Sequence, residues 1–322
     1  MPYKTSVIIV SYNNYQSTTG PCLQSLLADE ANRGVEIIVV DNGSRDETPG
    51  MLERIAAENE NLRIILNKKN RGFAGGNNDG AALSQGEILV LLNSVTIVPQ
   101  GAISGLATRL ADNKNWAMLG PVTNSAGNEQ KIHIQNTDVK PALDEGRVWC
   151  DRSNADCFES RRLDFFCVAI KKDVYENLGG LDEQFGLGYY EDTDFSLKAI
   201  ENGYKMFFTE KVFIYHKAGK SFSSHGKNNI RKLMKTNKRL LQQKYGHGIR
   251  LHHMRDCNLN ILNEYARLQQ ESKDSPDYCR NIGYRFDRRM TLARELWPNN
   301  PLKKIKYWLG LRHAARQFGS PL

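Results

Sequence analysis

The chain has 322 residues, of which 40% are hydrophobic and 25% charged, and this composition excludes a predominantly disordered protein. No apolar run approaches the roughly 20 residues that a membrane-spanning helix needs, so no such helix is predicted. The net charge of +8 hides an asymmetry, because residues 1–210 hold 20 basic and 29 acidic side chains whereas residues 211–255 hold 12 basic and no acidic ones.

Strand and helix patterns alternate through the N-terminal third. Short β-branched runs at residues 6–10, 36–40, 62–66 and 87–92 predict four strands, with helical apolar spacing between them. This alternation predicts an α/β fold with a mostly parallel sheet and crossover helices. Polar residues follow each strand, and ligands bind beyond the carboxyl ends of the strands in such sheets. We therefore expect the functional site at these strand ends.

The pattern becomes less regular after the fourth strand. Residues 123–162 are polar with little periodicity, which predicts a long functional or mobile loop. Residues 227–245 have helical apolar spacing with lysine and arginine on the opposite face, which predicts a basic amphipathic helix. Residues 284–318 repeat this pattern in two pieces separated by prolines.

Five motifs lie at predicted strand ends or helix starts, at residues 7–13, 39–44, 70–78, 190–195 and 216–222. In order and spacing they resemble the inverting glycosyltransferases of family 2, over about residues 4–245. The resemblance implies a GT-A fold, a Rossmann-like α/β fold with a mostly parallel central sheet flanked by helices. It places a nucleotide-sugar half at 1–120 and an acceptor and catalytic half at 121–245. Residues 246–322 would then form a basic helical extension.

The resemblance also implies a reaction and a catalytic residue. Family members transfer a sugar from a nucleotide-diphosphate donor to a hydroxyl, with inversion at the anomeric carbon, and this displacement needs a base for the acceptor proton. The match places the base in the Glu191 and Asp192 pair. We assign Asp192 as the base and Glu191 as a supporting residue that contacts the acceptor. Without the resemblance, both could also be first-turn carboxylates that favour the positive end of a helix dipole.

A larger set of residues matches the donor-binding positions of the family. They are Ser11, Tyr12, Asn13, Asp41, Gly72, Phe73, Ala74, Gly75, Asn78, Asn93 and Lys220. Asp41 matches the aspartate that hydrogen-bonds the nucleotide base, and the glycine-rich residues allow close approach of the backbone to the sugar diphosphate. From the residues alone, Asp41 also suits an Asx turn, and the glycine-rich stretch suits a turn with an N-cap.

The end of the fourth strand departs from the family pattern. Members usually end it in Asp-x-Asp or Asn-x-Asp, whose last aspartate binds the Mg²⁺ or Mn²⁺ that bridges the donor diphosphate. Here Asn93 is present but Val95 replaces the last aspartate, and valine cannot ligate a hard cation. Three interpretations stay open. Asn93 and His216 hold the metal weakly with the diphosphate, nearby lysines neutralise the leaving group instead, or the chain is a catalytically impaired nucleotide-sugar-binding module.

Residues 120–129 resemble a segment of the family members that build bacterial surface polysaccharides, rhamnosyl transferases among them. We therefore expect a saccharide or lipid-linked saccharide acceptor, in the synthesis of an O-antigen or a capsule-like polymer. Residues 123–162 would cover the acceptor. Trp149 would either stack on a sugar or be buried in a structural loop.

The basic C-terminal third predicts one further partner. Residues 280–322 hold 10 basic and 2 acidic side chains, together with aromatic residues of the kind found at membrane interfaces. This composition favours binding to an anionic membrane surface, although a solvated helix face would carry the same charge. No nucleic-acid partner is expected, because no nucleic-acid-binding motif is present. The chain start lacks a secretory signal and the six cysteines contain no C-x-x-C pair. We therefore expect a cytoplasmic protein, peripheral on the inner face of the membrane. The sequence does not indicate the oligomeric state.

Overall fold

A computed structural model describes residues 4–154, 156–217, 226–246 and 254–320. Lys220, one of the predicted donor-binding residues, lies outside these described ranges. Within them, no helix is both long enough and apolar enough to cross a bilayer.

Ten strands form two sheets in the described part of the chain. They are β1 (Thr5–Ser11), β2 (Glu36–Asp41), β3 (Leu62–Leu66), β4 (Ile88–Asn93), β5 (Thr96–Ile97), β6 (Trp116–Val122), β7 (Cys157–Ser160), β8 (Cys167–Lys171), β9 (Lys205–Phe213) and β10 (Tyr215–His216). The larger sheet has the order β3-β2-β1-β4-β8-β6-β9-β7, and β5 pairs with β10.

The first four strands of the larger sheet are parallel, as are β6 and β9. β8 runs antiparallel between β4 and β6, and β7 is antiparallel at the edge. The prediction of an α/β fold with a mostly parallel sheet is therefore confirmed. The four early strands end at the same edge because their connections are crossover helices.

Eleven α-helices accompany the sheets in the described ranges. They are α1 (Thr19–Leu27), α2 (Thr48–Ala57), α3 (Gly72–Leu83), α4 (Ala102–Asp112), α5 (Val139–Asp151), α6 (Lys172–Asn177), α7 (Glu191–Glu201), α8 (Lys227–Tyr245), α9 (Met254–Glu271), α10 (Pro276–Glu295) and α11 (Pro301–Phe318).

Both faces of the larger sheet are buried. Val7 and Ile9 of β1 pack in the core formed with α1, α2 and α4, whereas Ile8 packs in the core on the opposite face. Burial on both faces explains why these strands are continuous apolar runs without polar alternation. On the second face, a Cβ at Gly80 of α3 would lie 2.4 Å from Ile8 Cγ2. The glycine therefore allows α3 to lie close against β1.

The predicted long loop at 123–162 is only partly irregular, because it contains α5 and β7. Trp149 of α5 is 1% exposed, so of the two alternatives for this residue the structure contradicts sugar stacking and agrees with burial, although in a helix. Its ring packs beneath the Arg289 guanidinium, at 5.6 Å from the ring centroid. α5 has a narrow buried face of Ala142, Gly146 and Trp149, and its apolar Val139 and Val148 are exposed on other sides of the helix. This narrow face made the helical periodicity weak in the sequence.

The described C-terminal helices share the core of the sheet's second face. Arg285 and Arg289 of α10 are fully buried and bind opposite oxygens of Glu210 at 2.6 and 2.8 Å. Burial opposes ionisation of Glu210, but the two guanidiniums and the Tyr265 hydroxyl outweigh it and lower its pKa. Part of the predicted basic stretch therefore belongs to the interior, and the domain boundary at 245 remains a prediction.

Candidate active site

A cavity of about 580 Å³ lies at the carboxyl ends of β1 and β4, beside the first turn of α7. Its volume is typical of sites for small molecules. Nine residues singled out from the sequence line it: Tyr12, Asn13, Gly72, Phe73, Asn93, Val95, Glu191, Asp192 and His216. The strand ends and the Glu-Asp pair, although far apart in sequence, therefore share one cavity.

Five other predicted donor-binding residues do not line this cavity: Ser11, Asp41, Ala74, Gly75 and Asn78. Ser11 Oγ lies 2.7 Å from Thr19 Oγ1 in the interior. Asn78 Oδ1 accepts hydrogen bonds from the Tyr175 hydroxyl at 2.7 Å and from the Leu181 amide at 3.0 Å. Asn78 thus connects α3 to residues 178–190, which we call the segment before α7. Its role in donor binding remains a prediction.

Asp41 ends β2 and is 2% exposed, while the following residue, Asn42, lines the cavity. Asp41 Oδ2 accepts a hydrogen bond from the Ser44 amide at 3.0 Å, which is a turn of the kind that the sequence suggested. Its other oxygen, Oδ1, is buried and has no hydrogen-bond partner among the described residues. A buried acceptor without a partner costs free energy. A ligand that donates a hydrogen bond to Oδ1 would recover that free energy.

The loops after β1 and β2 hold each other in place. Asn13 and Asn14 adopt left-handed conformations with φ of 52° and 58°, which asparagine tolerates better than most residues. The Asn13 amide donates to Ser44 Oγ at 2.7 Å, and Asn13 Oδ1 accepts from the Arg45 amide at 2.9 Å. These bonds fix the rim of the cavity on which Tyr12 lies.

Gly72 joins the strand-end side of the cavity to the segment before α7. Its φ is 73°, and a Cβ there would lie 1.8 Å from the Gly186 carbonyl oxygen. Any side chain would therefore force the two segments apart. The Asn42 side chain fixes this junction from the other side, because its Nδ2 donates to the Gly72 carbonyl at 2.8 Å.

The segment before α7 is held by Asn237 of α8, which is 2% exposed. Its Nδ2 donates to the carbonyl oxygens of Phe185, Gly188 and Tyr189 at 2.7, 2.8 and 3.0 Å. Tyr189 and Tyr190 have φ of 73° and 77°, a conformation that costs free energy for a bulky residue. Asn237 therefore stabilises the strained backbone from which Glu191 and Asp192 enter the cavity.

The adjacent carboxyl groups differ in their environments. Burial and the nearby charge of Asp192 raise the pKa of Glu191 to about 8. Burial and repulsion from Asp164 raise the pKa of Asp192 to about 6, while the Arg162 guanidinium opposes the shift. Because the pKa of Glu191 is raised more strongly than that of Asp192, Asp192 is the carboxyl of the pair that ionises first. Asp192 Oδ1 accepts from the Thr193 amide at 2.6 Å, and Glu191 Oε2 has no hydrogen-bond partner among the described residues.

Asp194, the third carboxylate of α7, does not line the cavity. It is fully buried and binds Lys244, the Tyr245 hydroxyl at 3.0 Å and Lys198 at 3.3 Å. Its contacts with Lys244 and Tyr245 therefore brace α7 against α8.

Arg162 and Asp164 also line the cavity, although no motif in the sequence indicated them. Arg162 Nη2 lies 2.8 Å from Asp164 Oδ1, and both side chains are 17% exposed. Arg162 is the one lysine or arginine among the cavity-lining residues that the structure describes. It offers positive charge close to Asp192.

The residues at the expected metal position do not fit a resident divalent cation. Asn93 Oδ1 accepts from the Val95 amide at 3.3 Å, and Val95 is a buried apolar residue. His216 Nδ1 lies 2.9 Å from the Ser125 carbonyl oxygen, so Nδ1 carries the hydrogen and Nε2 a lone pair. Burial lowers the pKa of His216, which keeps the ring neutral. The available donors are thus one amide oxygen and one imidazole nitrogen. In the described ranges, no three His, Cys, Asp or Glu residues form a metal-binding group.

Comparisons with known proteins show which family this sequence matches. The sequence model of the family described as "Glycosyl transferase family 2" matches residues 6–179, more than half of the chain. The chain is 40% identical over 117 residues to the "Uncharacterized glycosyltransferase YfnE" of Bacillus subtilis (strain 168). That match covers 36% of this chain and 29% of the relative, so the chain spans under a third of that protein.

A second relative matches over a longer segment. "Glycosyltransferase AglE" of Haloferax volcanii is 24% identical over 221 residues, covering 66% of each chain. Among solved structures, the mannosyltransferase PcManGT from Pyrobaculum calidifontis, in complex with GDP-Man and Mn²⁺, is similar with a TM-score of 0.54 and 18% identity. The match covers 98% of this chain and 77% of that one. At this identity the similarity shows the fold alone.

Proposed function

The chain belongs to glycosyl transferase family 2, and from this premise we propose that it transfers a sugar from a nucleotide-diphosphate donor to a hydroxyl of a saccharide acceptor. The observation that carries the proposal is the single cavity that contains both the early strand ends and Asp192. Donor and base on opposite walls of one cavity would allow in-line displacement at the anomeric carbon, and therefore inversion.

Asp192 is the base in this proposal. The acceptor oxygen forms a bond to the anomeric carbon while the bond to the diphosphate oxygen breaks, and the nucleoside diphosphate leaves with that electron pair. Asp192 takes the acceptor proton as the new bond forms. A pKa raised to about 6 by burial leaves the carboxylate ionised at neutral pH yet more basic than an exposed aspartate.

Glu191 has a different role because its pKa is raised more strongly than that of Asp192, so it keeps its proton to higher pH. Its unpartnered Oε2 can hydrogen-bond a hydroxyl of the acceptor beside the base. This contact would orient the acceptor oxygen without competing with Asp192 for the proton.

The donor lies on the opposite wall in this proposal. The nucleotide base packs beside Tyr12 and Asn13. It would donate a hydrogen bond to Asp41 Oδ1, which lacks a partner among the described residues, once the loop behind Asn42 moves to expose this buried oxygen. Gly72 and Phe73 lie against the sugar diphosphate. Ser11, Ala74, Gly75 and Asn78 support these elements from outside the cavity wall, and Asn93 lies at the diphosphate.

Charge on the departing diphosphate is offset by cationic side chains. Arg162 lies in the cavity wall, and the Lys217 amide donates to the Val95 carbonyl at 2.9 Å, which places this exposed lysine next to the position of the missing aspartate. Lys220 follows outside the described residues. A lysine ammonium can act on phosphate as a point charge.

We infer a bacterial surface polysaccharide as the product, on a saccharide or lipid-linked saccharide acceptor. The support is the sequence resemblance of residues 120–129, whose residues 125–127 line the cavity near Arg162. The second candidate function is a nucleotide-sugar-binding module without turnover, which Val95 favours because it removes the usual metal ligand.

Product analysis with a panel of nucleotide sugars separates the two functions. The parent chain is assayed beside Asp192→Asn and Val95→Asp, and donor binding is measured by ligand-induced thermal stabilisation. We expect turnover by the parent, and at least about a hundredfold less transfer by Asp192→Asn with donor binding retained. Turnover by the Val95→Asp variant alone would establish the binding module. Undiminished transfer by Asp192→Asn would refute Asp192 as the base.

A further inference from the structure

α11 has two apolar faces, and only one of them packs on the protein. Tyr307, Leu311, Ala314 and Ala315 are buried against the neighbouring helices. On the opposite side, Leu302, Ile305 and Leu309 are 78%, 58% and 53% exposed. Their spacing of three and four residues places them on one side of the helix. We call these three residues, with the 40% exposed Trp308, the α11 face.

Positive charge surrounds the α11 face. Residues 301–320 contain five basic residues and no Asp or Glu: Lys303, Lys304, Lys306, Arg312 and Arg316. None of the five forms an ion pair with another described residue. Arg312 lies over the Trp308 ring at 5.0 Å from its centroid, so the cationic rim borders the exposed aromatic directly. Trp297, just before the helix, is 41% exposed.

The combination of an apolar centre and a cationic rim selects among possible occupants. Nucleic acid would satisfy the rim but offers no apolar surface for the leucine and isoleucine side chains. A second copy of the chain would bring two cationic rims together at the same surface. An anionic bilayer meets both requirements, because acyl chains take the apolar side chains while lysines extend to the headgroup phosphates.

We propose that the α11 face docks this protein on an anionic lipid bilayer, with the helix lying in the interface. The leucine and isoleucine side chains enter the boundary between headgroups and acyl chains, and Trp308 lies at headgroup level. The sequence predicted such contact for residues 280–322 as a whole. Within that stretch the structure favours α11, because its exposed apolar side chains lie beside exposed lysines, whereas Arg285 and Arg289 of α10 are buried.

The test measures binding of the full chain to vesicles of phosphatidylcholine alone and of equal parts phosphatidylglycerol and phosphatidylcholine. The first variant carries Leu302→Ser, Ile305→Ser and Leu309→Ser, and the second carries Lys303→Gln, Lys304→Gln and Lys306→Gln. A matched control carries Lys232→Gln, Lys235→Gln and Lys238→Gln, three exposed lysines of α8. Since all nine side chains are exposed, circular dichroism should show the parent fold in each protein.

We expect the parent to bind the anionic vesicles and not the neutral ones. Loss of the three α11 lysines should weaken binding by about a hundredfold, and loss of the three apolar side chains should weaken it by at least about tenfold. The three lysine substitutions in the α8 control should weaken binding far less. Brominated lipids should quench the fluorescence of Trp308, and Trp308→Phe should remove most of that quenching.

Two results would overturn the proposal. Equal binding by the apolar variant and the parent would show that α11 does not enter the bilayer. An equal loss of binding in the α8 control would show general electrostatic attraction without a defined docking face. Size-exclusion chromatography of the apolar variant is the remaining check, since conversion of an oligomer to a monomer would assign the face to a second copy.

Discussion

Asn237 offers the sharpest test of how the fold poises the Glu-Asp pair. Asn237→Ala removes an amide that donates to three backbone carbonyls. An amide has two hydrogens, so it supplies two full hydrogen bonds and a shared third. At about 1 kcal/mol for each bond, the change withdraws about 2–3 kcal/mol from the segment before α7.

That segment also stores strain, because Tyr189 and Tyr190 are both left-handed. Each such conformation costs on the order of 1–3 kcal/mol and persists only when its surroundings hold it. Without Asn237, a relaxed backbone conformation of this segment should therefore compete with the poised conformation, in which Glu191 and Asp192 line the cavity. A loss of about 2–3 kcal/mol shifts the equilibrium from the poised to the relaxed conformation by a factor of about 30–150, which is the largest fall expected in the poised population.

The assay separates positioning from general loss of structure. Donor binding should change little in Asn237→Ala, because most of the donor-side residues lie on other elements, while kcat should fall by up to the factor above. Release of the segment should also expose Asp192, whose pKa is raised chiefly by burial, so the acidic limb of the kcat/KM profile should move to lower pH. Asn229→Ala, an exposed asparagine on the same helix, is the matched control.

The reasoning would be refuted by an unchanged kcat in Asn237→Ala. The reasoning would also be refuted if donor affinity and kcat fell in parallel while the acidic limb of the kcat/KM profile stayed at the same pH. That outcome would indicate a smaller folded fraction and no specific effect on the Glu-Asp pair.

Three further predictions follow from the same geometry. In the parent, kcat/KM should fall about tenfold per pH unit below about pH 6, because protonation of Asp192 removes the base. A pH profile that stays flat down to pH 4 would contradict the assignment of Asp192 as the base. Transfer should persist in excess EDTA, since Val95 replaces the usual aspartate and no three His, Cys, Asp or Glu residues of the described ranges form a metal-binding group. Complete loss of transfer that Mn²⁺ restores would show that the chain does recruit a cation there. Arg289→Ala should lower the free energy of unfolding by about 3–5 kcal/mol in urea denaturation, because it breaks a buried ion pair with Glu210, whereas the exposed Arg33→Ala should change it little.

The sheet, and the edge of it at which the cavity lies, could be predicted from local patterns in the sequence. β-branched runs such as residues 36–40 predict strands locally, and their burial on both faces follows from the absence of polar alternation. The polar residues after these strands and the Glu-Asp pair were visible as motifs, because turn and helix-start chemistry is encoded within a few residues. Nine of those residues line the cavity for this reason.

Contacts between residues far apart in the sequence could be identified only in the tertiary structure. Asn237 lies in a helix that appears merely basic and amphipathic in the sequence, and its role follows from three carbonyls about 50 residues earlier in the chain. The burial of Trp149 and the inward direction of Arg289 likewise depend on each other across the fold. Local periodicity carries no information about such partners, because hydrogen bonds and packing between distant segments depend on where the chain returns. For the same reason, the sequence did not indicate that α10 buries Arg285 and Arg289 while the lysines of α11 stay exposed.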